Sequence, residues 1–185
     1  MKKIFLALCI VAISSAAYSQ KGNNQIGVGV DAGLPIGDFS NFSSFGIGGY
    51  VKGLYGIGEA GQITLTTGYT SYAAKKEVKD ALGADKFTAS IIPILAGYRH
   101  NFSGFYVEPQ VGYGSYGNKL KVAGNSGSSS TGAFTYALGV GYAKSGFDGG
   151  VRYQGASKDG STTSIIGIHV GYNFSLGGEG GSKTK

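Results

Sequence analysis

The sequence predicts an all-β fold: an eight-stranded antiparallel up-and-down transmembrane β-barrel with short periplasmic turns and longer extracellular loops. Three observations carry it. Residues 25 to 176 alternate between an apolar set free of Asp, Glu and Arg and a second set that holds charge. Aromatics of the apolar set gather at strand ends. Connections alternate between short and long. A soluble sheet hides its apolar face in a core, whereas a membrane barrel turns that face to lipid and keeps the polar one inside.

The first residues supply the route to a membrane. Lys2 and Lys3 precede the apolar run from Ile4 to Ile13, and Ala17-Tyr18-Ser19 places small residues before Gln20. This pattern predicts a signal peptide over 1–19, cleaved after Ser19; the run is too short to span a bilayer. Cys9 is the single cysteine and lies inside that run, which leaves the expected mature chain without disulfides, Cys-ligated metal or a Cys nucleophile. Loss of Lys2 and Lys3 lowers the formal charge from +6 to +4. The residual excess is dispersed and makes no basic stripe, so a nucleic-acid partner is not expected. The mature length of about 165 residues suits one domain, with the barrel over 20–176 and a flexible periplasmic tail over 177–185.

Alternation places strands near 25–34, 46–57, 61–72, 88–102, 105–115, 132–144, 147–156 and 164–176. Residues 35–45, 73–87 and 116–131 are then long loops available to an extracellular ligand. Residues 58–60, 103–104 and 145–146 are tight periplasmic turns, and 157–163 is intermediate. Residues 73–87 carry clustered charge around Val78, Ala81 and Leu82 and read as a solvated loop, with a short helix or lid as the alternative; 124–132 are low in complexity and read as a mobile loop.

The clearest strand is Phe105-Tyr106-Val107-Glu108-Pro109-Gln110-Val111-Gly112-Tyr113. Its odd positions are apolar, and its ends are aromatic. Eight residues at about 3.3 Å rise and a tilt near 40° span roughly 20 Å of height, close to the band between two aromatic girdles. The expected girdles are Phe102, Phe105, Tyr142, Phe147, Tyr172 and Phe174 beside the short turns, and Tyr69, Tyr113, Phe134 and Tyr153 toward the long loops. His100 is the one ionisable member of the outward set, two residues from a turn.

The inward set contains Asp31, Lys52, Arg99, Glu108, Asp148, Arg152 and His169. Three cations face three anions, and a barrel of about eight strands is narrow enough for opposite walls to meet. A two-residue turn at 103–104 sets Phe102 opposite Phe105 and, counting back, Arg99 opposite Glu108. Many of the 35 glycines fall on this face and leave room for Tyr50, Tyr106 and the charged chains. The expected role of the cluster is a structural ion-pair network, with a solute-selective lining as the alternative.

Other motifs carry less. Gly56-Ile57-Gly58-Glu59-Ala60-Gly61 and Gly112-Tyr113-Gly114-Ser115-Tyr116-Gly117 match the dinucleotide glycine pattern, but no helix follows either. His100 and His169 fall on opposite faces, so no metal site and no cofactor is expected. His169 with Asp148 and Ser157 or Ser164 is the sharpest enzymatic arrangement, against which a lumen histidine in a polar network is favoured.

Four segments carry a family resemblance: Leu34-Pro35-Ile36-Gly37-Asp38-Phe39, Ile92-Pro93-Ile94-Leu95-Ala96-Gly97-Tyr98-Arg99, Phe105-Tyr106-Val107-Glu108-Pro109-Gln110 and Gly171-Tyr172-Asn173-Phe174. In these the chain resembles the small, porin-like outer membrane protein β-barrel domain family common in Bacteroidetes. The resemblance implies the fold and the cell outer membrane of a Gram-negative bacterium, and no reaction. Outer membrane lipid and the barrel assembly machinery are the implied partners. Barrels of this kind often end on the aromatic of the last strand, yet here eleven residues follow Phe174. The expected function is a monomeric barrel with a structural, adhesive or loop-mediated binding role and at most a narrow pore. A small-solute channel and a barrel enzyme acting on lipid or peptide are the alternatives.

Overall fold

The computed structural model describes residues 24–75, 77, 80, 86–122, 125–158 and 160–176. The expected signal peptide and tail lie outside them. Eight strands, β1 (Gln25–Ile36), β2 (Ser43–Ile57), β3 (Gly61–Ala74), β4 (Lys86–Phe102), β5 (Phe105–Val122), β6 (Asn125–Lys144), β7 (Phe147–Lys158) and β8 (Ser161–Ser175), pair antiparallel with their sequence neighbours. β1 closes on β8 from Gln25↔Ser175 to Ile36↔Ser164, making a closed barrel. The one short helix with both ends described, α1 (Phe39–Phe42), lies between β1 and β2.

Turn chemistry fixes the register. Ser103-Gly104 and Ser145-Gly146 each place both residues at positive φ, the geometry that matches the right-handed twist of flanking strands. Phe102 therefore pairs with Phe105, and Lys144 with Phe147. Gly112 and Gly141 are required by close approach: a Cβ at Gly112 would meet the Ile94 carbonyl, and one at Gly141 the Tyr106 hydroxyl.

The two faces divide as alternation requires. Val30, Ile47, Leu65, Ile94, Val111, Leu138, Ile168 and Val170 form an exposed apolar belt, while Arg99, Glu108, Asp148 and Lys52 are buried inside. Every expected girdle aromatic is exposed, including Tyr69, Tyr113, Phe134 and Tyr153 toward the loops and Phe102, Phe105, Tyr142, Phe147, Tyr172 and Phe174 at the turns. Neighbours stack at the turn end: Phe105 on Tyr142 at 5.0 Å, Phe147 on Tyr172 at 5.3 Å and Tyr172 on Phe174 at 4.9 Å. His100 sits in this belt, its Nδ1 3.1 Å from the Tyr98 hydroxyl and its ring 4.5 Å from Phe102. These contacts give the outward imidazole a hydrogen-bond partner and an aromatic neighbour.

The extracellular loops differ from the sequence expectation. β5 continues to Val122 and β6 begins at Asn125, paired from Val122↔Asn125 downward, so 116–131 is a protruding hairpin and not a long loop. Above the membrane both faces of a sheet meet water, which removes the apolar alternation by which a strand is read. The same effect shortens the 73–87 loop to the segment between Ala74 and Lys86, and the 157–163 connection to a turn between Lys158 and Ser161. Residues 35–45 hold the end of β1, α1 and the start of β2.

Candidate functional site

The lumen is filled by buried polar and charged side chains, most of them joined in a network around Glu108 and Asp148. Lys52 on β2 lies 2.9 Å from Glu108 on β5. Arg99 on β4 reaches the same carboxylate oxygen through both Nε, at 3.1 Å, and Nη2, at 2.9 Å. Its other terminal nitrogen is 2.8 Å from Asp148 on β7, three strands away across the barrel. Thr64 and Gln110 donate to the second Glu108 oxygen at 2.8 and 2.9 Å. Each of these buried charges thus has an opposite partner, and Glu108 has further hydrogen bonds, the condition under which ion pairs are tolerated in a low-dielectric interior.

Asp148 organises the β7 and β8 side. It accepts from the Tyr106 hydroxyl at 2.7 Å and from the Asn173 amide at 3.1 Å. The Tyr106 oxygen is also 2.8 Å from His169 Nε2. Since the phenol hydrogen goes to Asp148, that oxygen accepts from the Nε2–H tautomer of His169. Arg99 stacks over the Tyr106 ring at 3.7 Å, which holds the guanidinium plane in place. One layer toward the outside, Arg152 lies 3.6 Å from Asp31, which also accepts from Thr70.

The ends of the lumen are unlike. Toward the outside, Tyr72, Ala89, Ile91 and Ile165 form a buried apolar cluster, with Phe39 of α1 and Tyr116 packed against it. Beneath it lies a void of about 20 Å³ between Tyr72, Asp31 and Arg152; a second, of about 10 Å³, lies between Tyr50, Glu108 and His169. Each has room for about one water. Toward the periplasm a polar mouth of about 250 Å³ opens between Gln62, Arg99, Asn101, Lys144 and Asn173, and the Arg99 layer forms its floor. Such a lumen conducts no hydrated solute without breaking several buried ion pairs.

The seven lumen residues singled out by sequence therefore lie in two layers, and the Arg99 and Glu108 side chains meet. Parity places Thr64 with Gln62, Thr66, Gln110 and Gln154 on the inward face, but sequence reasoning did not pair it with Glu108, and it did not single out Asn173, which shares that parity, as a partner of Asp148. Ser157 and Ser164 are not brought to His169: both stand at outward positions, and Ser164 bonds to Tyr153 at 3.0 Å on that face. No group of three His, Cys, Asp or Glu capable of holding a metal occurs among the described residues.

The second candidate surface is the extracellular wall made by β5 and β6. Lys119 and Lys121 project from its outer face, and Lys158 at the end of β7 donates to Thr131 at 2.9 Å.

The sequence profile of the outer membrane protein beta-barrel domain matches residues 4–174. The chain belongs to that family. This places it in the outer membrane, and makes the apolar belt the lipid-facing surface of the barrel. The family member is similar in fold to the attachment invasion locus protein Ail of Yersinia pestis, with TM-score 0.64 and 16% identity over 84% of this chain and 100% of that one. Ail bound to the heparin analogue sucrose octasulfate gives 0.62 and 17% over the same shares. The N-terminal β-barrel domain of Pseudomonas aeruginosa OprF gives 0.60 and 15% over 83% and 100%. None of the curated proteins compared matches the sequence.

Proposed function

We propose that this outer membrane barrel is a sealed anchor that holds a cationic extracellular wall, β5 and β6 above the Tyr113 and Phe134 level, for binding anionic partners at the cell surface. The observation that carries the reading is the contrast between the two candidate sites. Inside, every charged side chain of the layers around Glu108 and Asp31 is engaged with an opposite charge. Outside, the charged side chains of β5, β6 and β7 above that level, among the described residues, are Lys119, Lys121 and Lys158, all cationic. Charges spent on each other hold a structure; charges of one sign facing water attract a partner. That Ail has been solved with a heparin analogue supports the same ligand class for a barrel of this shape.

The finer parts of the reading follow from the same features. The chain acts as a monomer, and it acts as a non-enzyme, since His169 is engaged by Tyr106 and Asp148 within the filled lumen. It reaches the membrane by a signal peptide over 1–19, is inserted by the barrel assembly machinery with nine residues, 177–185, left on the periplasmic side, and is of the Bacteroidetes type.

The test is adhesion. Cells of a Gram-negative host displaying the chain should adhere to heparin-coated and acidic protein-coated surfaces, and replacing residues 117–130 by a Ser-Gly turn should return adhesion to that of cells lacking the chain. Equal adhesion by the truncated and full barrels, at equal surface amounts, would contradict the reading.

A further inference from the structure

β5 and β6 stay paired over their whole length, from Val122↔Asn125 to Phe105↔Tyr142. β7 joins the other side of β6 only from Phe134↔Ser157 onward, since it turns back at Lys158↔Ser161. Residues Asn125–Ala133, in a strand, therefore have β5 on one side and, among the described residues, no strand on the other. This is the longest such edge in the described barrel. Nine residues at about 3.3 Å each give roughly 30 Å of backbone whose outward N–H and C=O groups are open.

Native sheets blunt exposed edges with charge, proline or bulges. None of these occurs within Asn125-Ser-Gly-Ser-Ser-Ser-Thr-Gly-Ala133, in which the first seven residues are all exposed. Their small side chains also set no steric limit on what lies beside them. The lysine nearest the edge is fixed in place: Lys158 reaches across from the end of β7 to Thr131, at the foot of the open stretch. Lys119 and Lys121 stand one strand further on, opposite Ser128 and Ser126, within about a Debye length of an added strand.

We propose that the Asn125–Ala133 edge is a β-augmentation site, which takes an extended acidic peptide segment of an extracellular protein as an additional strand beside β6. Main-chain hydrogen bonds supply the affinity and the three lysines select negative charge, so the site tolerates varied sequences. This rests on the surface-binding reading above and gives it a ligand class and a contact mode. A second copy of the chain is disfavoured, because it would bring the same lysines together.

The test uses the full chain in detergent with a fluorescein-labelled nine-residue peptide of alternating threonine and glutamate, and its threonine and lysine counterpart. The acidic peptide should bind, should slow amide hydrogen exchange across residues 125–133, and should lose about two- to five-fold in affinity with Lys158→Gln, as expected of an exposed ion pair. Adjacent residues point their N–H groups to opposite edges, so one of Ser128→Pro and Ser129→Pro removes an edge donor while leaving the β5 ladder intact; that variant should abolish binding and keep heat-modifiable mobility. Sucrose octasulfate, which has no backbone, should leave exchange unchanged. Failure of the acidic peptide to bind, binding without amide protection, equal binding of the lysine peptide, or the same protection caused by dimerisation would each overturn the proposal. If the proline variants keep cell adhesion that the 117–130 truncation loses, the edge is wrong and the surface-binding reading stands.

Discussion

Arg99→Leu should lower the unfolding free energy of the reconstituted barrel by about 3–5 kcal/mol, the range for removing one partner of a buried ion pair. Among the described residues, Arg99 is the one cation ion-paired with both Glu108 and Asp148. The substitution leaves Asp148 with no guanidinium and reduces the cations on Glu108 to Lys52. It also removes the group stacked on Tyr106. Lys52→Leu should cost less, because Arg99 still neutralises Glu108. Denaturant unfolding in lipid vesicles reads both; an Arg99→Leu barrel within about 1 kcal/mol of the parent would show that the lumen charges do not hold the fold, since exposed pairs contribute no more than that.

Leu138→Arg should destabilise the barrel by about 2–4 kcal/mol in a bilayer, the cost of a cation at the midplane of the lipid face. Leu138 lies midway between the exposed aromatics Phe134 and Tyr142 on β6, pairs with Pro109 and Tyr153, and is half exposed on the belt. The same substitution at Phe147, beside a periplasmic turn, should cost about 1 kcal/mol or less in the charge term, because the penalty falls toward the interfaces. Vesicle unfolding of the two variants measures the gradient. Equal costs at the two depths would remove the assignment of this face to lipid.

The two faces differ in how far the sequence specified them. Strand alternation sorts every side chain to lumen or lipid without knowledge of the rest of the fold, and the Ser103-Gly104 turn carries the Arg99 and Glu108 register by simple counting. The Arg99 contact with Asp148 is of another kind. It joins β4 to β7 across the lumen, and depends on the shear with which eight strands close, which no local segment encodes. Asn173 and Thr64 were within reach by parity, but short polar side chains do not declare themselves as charge partners. The hairpin was hidden for a different reason. From Ser126 to Gly132 both faces are polar, so the period-2 signal vanishes, although the pairing with Ser115 to Lys121 continues. Serine and glycine read as loop because their usual setting is a loop, and the partner strand β5 overrides that preference.

The α1 segment shows the same limit. Phe39 packs at 5.5 Å on Tyr72 at the outer end of the lumen, joining the cap over Ile91 and Ile165. An aromatic in a connecting segment carries no period from which such a contact can be read.

Conductance of the purified full chain in planar bilayers tests most directly the claim that the lumen is a sealed structural core and the function lies outside it. Voids of about 20 and 10 Å³ and an apolar cap predict silent membranes at moderate voltage, with the Lys119→Gln and Lys121→Gln barrel equally silent. Steady unit conductance that vanishes on neutralising Glu108 would contradict the account, and would make the lumen network a solute path.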